Sequence, residues 1–301
     1  MVGKGRSTAT SASPSICITE HRSHLYAYNQ GVASLERHLD ELLARGRETF
    51  SSTDGQADIG QSAEAFRAAT GRLKKRRLIV SPWRNFFIML RPEDRASGAP
   101  DPIRWIDPLM KHLGVDYRVS LLRAAAFHGS SHQASMVFQV VAPKQLRSFE
   151  TGRHKVQFLF QQPEAFAAVN RVPWLTQIKS ESGFANAAGI ELTLLDSIRY
   201  FHKAAGINGV AQIVRDIGGK ANPRRLANAA EVYENSAVRR LGYLLECFGH
   251  EKQARALLPF AQEAKSLKPL DPSVRSFLPA ATAPVNVEWR LALNHIVEVD
   301  D

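Results

Sequence analysis

The chain has 301 residues, with 39 Lys+Arg against 29 Asp+Glu, a formal net charge of +10 and a pI near 9.8. A hydrophobic content of 44% and a charged content of 23% exclude a largely disordered chain, and the length suffices for two domains without disulfides. Cys17 and Cys247 stand far apart and outside any CxxC pair, which argues against a disulfide framework or a structural zinc.

Residues 1–15 are rich in Ser, Thr, Ala and Gly and cannot bury enough apolar area to offset ordering, and residues 16–31 show no clear period. Residues 1–30 are therefore read as a flexible tail without an assigned role. Lys4 and Arg6 are followed by small polar residues rather than a secretory apolar stretch, and no run approaches the ~18 residues of a membrane span. A cytoplasmic protein with no membrane partner is expected.

From Ser34 the pattern becomes periodic. Leu35, Leu39, Leu42 and Leu43 form a helical stripe between an N-cap at Ser34 and a stop at Gly46. Thr53 and Gln56 have the spacing of a capping box for a short helix ending near Ile59-Gly60. Ser62 caps a third helix with an inner stripe of Ala63, Phe66, Ala69, Thr70 and Leu73. Two β-prone runs, Leu78–Val80 and Phe86–Leu90, joined by the five turn-like residues Ser81–Asn85, predict a hairpin. Three helices and a hairpin predict a winged helix-turn-helix domain over residues 31–92.

Four prolines between Arg91 and Pro108 mark a crossing, and residues 93–301 read as a larger mixed domain. In it, Tyr117–Phe127 is expected to be helical, and Met136–Val141, Val156–Phe160 and Leu175–Lys179 to be strands. Five helices should follow in series (Ile190–Phe201, Val210–Ile217, Pro223–Tyr233, Val238–Phe248, Lys252–Ala264). Strands at Glu288–Leu293 and Ile296–Val299 close the chain. The expected fold class is α+β, with a helical second half.

Charge is concentrated within Ser62–Arg95, where nine basic residues face three acidic ones; residues 34–61 carry three basic and six acidic. A compact basic face gains affinity for duplex DNA by releasing counterions, and one α-helix fits the major groove. The candidate base-reading residues are Gln61, Ser62, Arg67 and Arg72: Gln61 suits adenine, and the two arginines suit guanine or phosphate. Lys74, Lys75, Arg76 and Arg77 at the helix end would position the backbone, with Arg84 and Asn85 at the hairpin tip. A basic run also arises simply as a solvated helix end offsetting the dipole; the helix-turn-helix spacing and the basic tip favour DNA. Arg224-Arg225 and Arg239-Arg240 read as solvated faces that extend that footprint at most.

No catalytic or cofactor constellation is visible, so no enzyme activity and no cofactor or metal are expected. His128 and His132 lack further ligands, Glu191 suits a helix start rather than acid–base work, and Gly218-Gly219-Lys220 lacks the spacing of a phosphate loop. The stripe of Leu241, Leu244, Leu245 and Phe248 reads as core.

Several blocks occur together in one order: the helix–hairpin unit, the proline-rich crossing, YRVSLLRAAAFHG at 117–129, VFQVV at 137–141, GIELTLLD at 189–196 and VRRLGYLLE at 238–246. Over residues 33–301 this resembles the AbiEi antitoxins, regulators of type IV toxin–antitoxin (abortive-infection, phage-defence) systems. The resemblance implies a winged helix that binds inverted repeats in the system's own promoter and represses it. It also implies a C-terminal domain opposing a nucleotidyltransferase toxin (AbiEii-like), without a stable complex. The family's wing turn commonly has glycine where Asn85 stands, and Asn tolerates the left-handed conformation. The alternative is a stand-alone winged-helix transcription factor whose C-terminal domain binds a ligand or partner. An enzyme docking on nucleic acid would need a carboxylate or histidine cluster in the C-terminal domain.

Overall fold

The computed structural model describes residues 35–130, 137–273 and 282–299. Ser34, His132 and the expected tail at 1–30 lie outside the described residues. Among the described residues the chain forms eleven α-helices and three sheets, a mixed α+β fold.

The first unit opens with helix α1 (35–44), whose Leu35, Leu39 and Leu42 are buried as their spacing predicts. A short strand that the sequence did not announce, β1 (Thr49–Ser51), follows. Helix α2 (Ser52–Ile59) is capped by Ser51, whose Oγ accepts from the Asp54 N–H at 3.0 Å. The cap is therefore two residues earlier than the expected Thr53, because β1 delivers the extended conformation an N-cap requires. Helix α3 (Ala63–Lys75) is capped by Ser62 as expected and buries Phe66, Ala69, Thr70 and Leu73; Ala63, expected on this stripe, is exposed. Strands β2 (Ile79–Trp83) and β3 (Phe86–Met89) form the hairpin, and the sheet runs β1-β3-β2, antiparallel throughout. The turn is two residues, Arg84-Asn85, rather than the five expected. Ser81 and Pro82 stay within the strand through an irregularity in register between Val80 and Trp83, which accommodates the missing Pro82 N–H.

β3 is buried on both faces. Phe87 and Met89 enter the core formed with Leu35, Phe50, Phe66 and Leu73; Phe86 and Ile88, on the opposite face, enter a second core with Trp105, Leu109, Val119 and Phe138. The hairpin is thus a wall shared by the two halves. The crossing is ordered: Arg104 bonds Glu48 through Nε at 2.9 Å and Nη2 at 2.6 Å and Asp94 through Nη1 at 3.1 Å, and Arg91 pairs with Glu48 and Glu181. Gly98 and Gly152, both at positive φ, meet so closely that a Cβ on Gly152 would lie 2.2 Å from the Ser97 carbonyl oxygen.

Helix α4 (Ile106–Leu113) precedes a six-stranded sheet of order β6-β7-β5-β4-β9-β8. Its strands are β4 (Arg118–Val119), β5 (Val137–Ala142), β6 (Phe149–Thr151), β7 (His154–Phe160), β8 (Leu175–Ser180) and β9 (Gly183–Ala188). β5 pairs with β7 and β4 with β9 in parallel; the other neighbours are antiparallel. The expected helix from Tyr117 begins only at α5 (Leu121–Phe127), because Arg118 and Val119 are drawn into the sheet between β5 and β9. Helix α6 (Pro163–Val169) connects β7 to β8. The five expected helices all form: α7 (Ile190–Arg199), α8 (Gly206–Ile217), α9 (Pro223–Ala230), α10 (Asn235–Cys247) and α11 (Glu251–Gln262). They cover the sheet face opposite α4. A small sheet of β10 (Lys268–Pro269), β12 (Leu291–Ala292) and β11 (Val285–Asn286) ends the fold. The expected strand at Ile296–Val299 is irregular, with Ile296 exposed.

A buried ion pair joins the sheet to α7. Arg118, fully buried, donates to Asp196 of α7 from Nε at 2.9 Å and from Nη2 at 2.8 Å. Ser120 Oγ and Tyr233 OH each donate to the same carboxylate at 2.7 Å, while Gln161 Oε1 accepts from Arg118 Nη2 at 2.7 Å. Burial by itself would lower the Arg118 pKa, but the Asp196 carboxylate outweighs it and holds the guanidinium charged. Burial, and then Asp196, raise Tyr233 well above its usual range, so it remains a donor.

Removing one partner strands the other's charge in the interior. Arg118→Met is expected to cost about 3–5 kcal/mol in urea unfolding, and Arg118→Met with Asp196→Asn to recover part of that loss. A single variant as stable as wild type would contradict this account.

Candidate nucleic-acid interface

Helix α3 starts from a fixed N-terminus. Gly60 at φ 61° ends α2, Gln61 lies half-buried in the turn, and Ser62 Oγ accepts from the Ala65 N–H at 3.2 Å. The Ser62 hydroxyl oxygen therefore holds the helix, which limits it to a donor role toward a ligand. Arg67 is exposed one turn further on, and Arg72 is half-buried near the other end.

The C-terminal basic run divides by environment. Lys74 lies with its ammonium 5.0 Å from the Phe87 ring centre, a cation–π contact that steadies it. Lys75 is exposed, whereas Arg76 is paired with Glu36 of α1. Arg77 is exposed and occupies φ 54°, the left-handed position that usually falls to glycine after a helix. Its N–H donates to the Lys74 carbonyl at 3.0 Å and the Leu78 N–H to the Leu73 carbonyl at 3.0 Å. Backbone N–H groups thus satisfy the last carbonyls, and the basic side chains are not needed as caps. Among the described residues, Arg67, Lys75, Arg77, Arg84 and Arg95 have no carboxylate partner.

At the hairpin tip, the Arg84 side chain is exposed, but its carbonyl lies 3.2 Å from His112 Nε2 of α4. Asn85 takes φ 60°, the left-handed conformation expected of it; its carbonyl accepts from the Ser52 N–H at 2.9 Å and its Oδ1 from Ser52 Oγ at 3.4 Å. Asn85 thereby ties the tip to the start of α2. β2 places about 16 Å of strand, at roughly 3.3 Å per residue, between the cations around Arg77 and the one at Arg84. The expected residues therefore form three groups along the unit rather than one patch.

One other expectation needs correction. Arg239 and Arg240 are buried, not solvated: Arg239 Nη1 donates to the carbonyls of Ser266 and Arg290, each at 3.0 Å, and Arg240 Nε to that of Pro269 at 3.0 Å. On the same face of α10, Gly242 lies against the Trp289 ring, and Glu246 accepts from Trp289 Nε1 at 2.6 Å. The block VRRLGYLLE thus turns Leu241, Leu244 and Leu245 into the core and clamps the C-terminal sheet with Arg239, Gly242 and Glu246. Glu191 lies in the first turn of α7, as expected, and its carboxylate also accepts from the Asn222 N–H at 2.8 Å, ahead of α9. His128 Nε2 lies 2.8 Å from the Ala188 carbonyl, a structural contact. Arg224 and Arg225 are exposed on α9. No helix among the described residues is long and apolar enough to cross a membrane.

Residues 118–247 match the family model of the AbiEi antitoxin C-terminal domain. That match supports an AbiEi-type antitoxin, the resemblance read from the sequence blocks, and hence an antitoxin of a toxin–antitoxin system; the AbiEi antitoxin family is not a known enzyme family. The AbiEi domain runs from β4 to α10 and contains the whole Arg118–Asp196–Tyr233 cluster. Arg118 and Asp196 fall in the blocks YRVSLLRAAAFHG and GIELTLLD, but 78 positions separate them, and local spacing does not announce their pairing. The fold is similar to that in the crystal structure of the RV2827C protein from Mycobacterium tuberculosis, with a TM-score of 0.59 and 16% identity, over 86% of this chain and 90% of that one. Comparison with curated proteins gives no match.

Arg77 holds a conformation that costs an L-residue about 1–2 kcal/mol. Arg77→Gly is expected to leave stability unchanged or raise it by up to ~1 kcal/mol, since glycine relieves the strain but loses more chain entropy on folding. Thermal unfolding measures this, and a clear fall in Tm would refute the strained-cap assignment.

Proposed function

We propose that this protein is the autorepressor and antitoxin of a type IV toxin–antitoxin system. In this reading residues 31–92 are a winged helix-turn-helix that binds inverted repeats in the system's own promoter, with α3 as the recognition helix. Residues 93–301 oppose a nucleotidyltransferase toxin of AbiEii type, in the cytoplasm and without a stable complex. The protein itself catalyses nothing.

The observation that carries the DNA half is the charge left on α3 after its ion pairs are counted. Arg67 is exposed in the first half of the helix, and Lys75 and Arg77 are exposed at its end with no carboxylate partner among the described residues. Helix, strand, two helices and a hairpin, with sheet order β1-β3-β2, is also the element order of a winged helix. The AbiEi domain supports the antitoxin half.

The test is a fluorescence-anisotropy titration against the gene's own upstream DNA and a scrambled duplex of equal length, over a series of salt concentrations. Preference for the upstream duplex with a steep salt slope is expected. Arg67→Ala should cost about 1–3 kcal/mol on the upstream duplex only, and Lys75→Ala should weaken both duplexes alike. In co-expression with the neighbouring nucleotidyltransferase, Arg67→Ala should lose repression and still restore growth. Repression without any rescue of growth would reduce the protein to a stand-alone regulator, and equal weak binding to both duplexes would remove the repressor reading.

A further inference from the structure

Beside the C-terminal end of α3 lies a cleft of about 380 Å³ between that helix and the crossing segment. Lys74 and Arg77 line one side, Arg95, Ser97 and Gly98 the other, and Leu90 lies among them. Every charged side chain in the lining is cationic.

A helix C-terminus is the negative end of the peptide dipole and repels an anion unless side chains reverse the local charge. Here the last carbonyls of α3 are already taken by the N–H groups of Arg76, Arg77 and Leu78, so capping does not account for the cations. Lys74 is steadied over Phe87, and Arg77 keeps a left-handed conformation that glycine would adopt more easily. Strain retained at an exposed cation, with a second cation beside it and a third across a cleft, points to a binding position rather than to packing. Asp94, adjacent to Arg95 in the chain, is occupied by Arg104 through Nη1. Arg95 follows the single turn Pro92–Asp94, and its N–H is held by the Pro92 carbonyl at 3.4 Å.

We propose that this cleft seats a backbone phosphate of the bound duplex, so that Arg95 and the crossing segment belong to the DNA footprint. The inference rests on the DNA-binding reading above and extends its footprint from the end of α3 to Arg95 on the crossing segment. Geometry favours a flanking phosphate over a base edge. α3 has thirteen residues, about 20 Å of helix, and the major groove is about 12 Å wide. A helix entered N-terminus first therefore brings its far end to the phosphate ridge bordering the groove.

The experiment titrates the full chain and its variants on the upstream duplex over a KCl series. The variants are Arg95→Gln, Arg77→Gly, the two combined, and Arg45→Gln as an exposed basic control outside the cleft. Thermal unfolding checks that each is folded. Arg95→Gln is expected to weaken binding severalfold and to flatten the slope of log K against log salt by up to about 0.9, the value for one phosphate contact. The double variant should lose less than the product of the single losses, because both side chains serve one phosphate. Arg45→Gln should match wild type.

Arg95→Gln with wild-type affinity and slope overturns the cleft while leaving the DNA reading intact. A wild-type chain without preference for the upstream duplex and without a salt slope overturns both. Calorimetry with inorganic phosphate alone separates the sources of the anion: saturable binding abolished by Arg95→Gln, with duplex affinity unchanged, would assign the cleft to a free anion and overturn the duplex phosphate.

Discussion

The buried Arg118–Asp196 pair is the constraint on which the larger half of the molecule depends. β4 is only two residues long, yet it sits in the middle of a six-stranded sheet and sends Arg118 to one face and Val119 to the other. Burying both ions is costly, and it succeeds here because Ser120, Gln161 and Tyr233 supply further hydrogen bonds. Asp196 comes from α7, and the added partners from the residue after β4, the residue after β7 and the segment after α9. A shift in any one of these elements would leave a charge unpaired, so the cluster specifies how the helices seat on the sheet more than it adds to stability. All of it lies within residues 118–247, the stretch that matches the AbiEi family model.

The small sheet imposes the second constraint. β3 gives Phe87 and Met89 to one core and Phe86 and Ile88 to another, so the hairpin does not project freely into solvent. The contact of His112 with the Arg84 carbonyl, and the contact of Trp83 with Phe149, fix it against the second half. The Glu48–Arg104–Asp94 bonds do the same from the other edge. Helix α3, mounted in this way, has one orientation relative to residues 118–247. A duplex bound at α3 would accordingly meet the crossing segment in a fixed geometry, not at the end of a loose tether.

What was legible in the sequence was what local spacing determines. Ser62 and the stripe Phe66, Ala69, Leu73 define α3 without help from elsewhere, and the five later helices each carry enough apolar periodicity to be read singly. Pairing over long distances was not legible. β4 reads as part of a helix because YRVSLLRAAAF has a helical stripe, and only β5 and β9 draw its first residues into a sheet. β9 is Gly-Phe-Ala-Asn-Ala-Ala, with no β-branched residue to announce it. Proline and serine in Ser81-Pro82 imitate a turn, while the actual turn needs only Arg84 and an Asn85 able to adopt positive φ.

Charge illustrates the same limit at the candidate site. Counting along the chain gives one basic cluster from Ser62 to Arg95, but the fold sorts it. Arg76 is matched by Glu36, forty positions away, and Arg91 by Glu48 and Glu181. Arg239 and Arg240, which look like a surface pair, are spent on carbonyls of the C-terminal sheet. The cations left over are Arg67 on the helix, Lys75 and Arg77 at its end, Arg84 at the tip and Arg95 across the crossing. Their spread over roughly the length of α3 suits a run of phosphates along a duplex better than a single anionic point, because successive phosphates on one strand lie about 3.4 Å apart along the helix axis. Under the proposed reading, a duplex whose groove α3 enters N-terminus first would engage several of these groups at once, whereas a small anion would meet only one cluster.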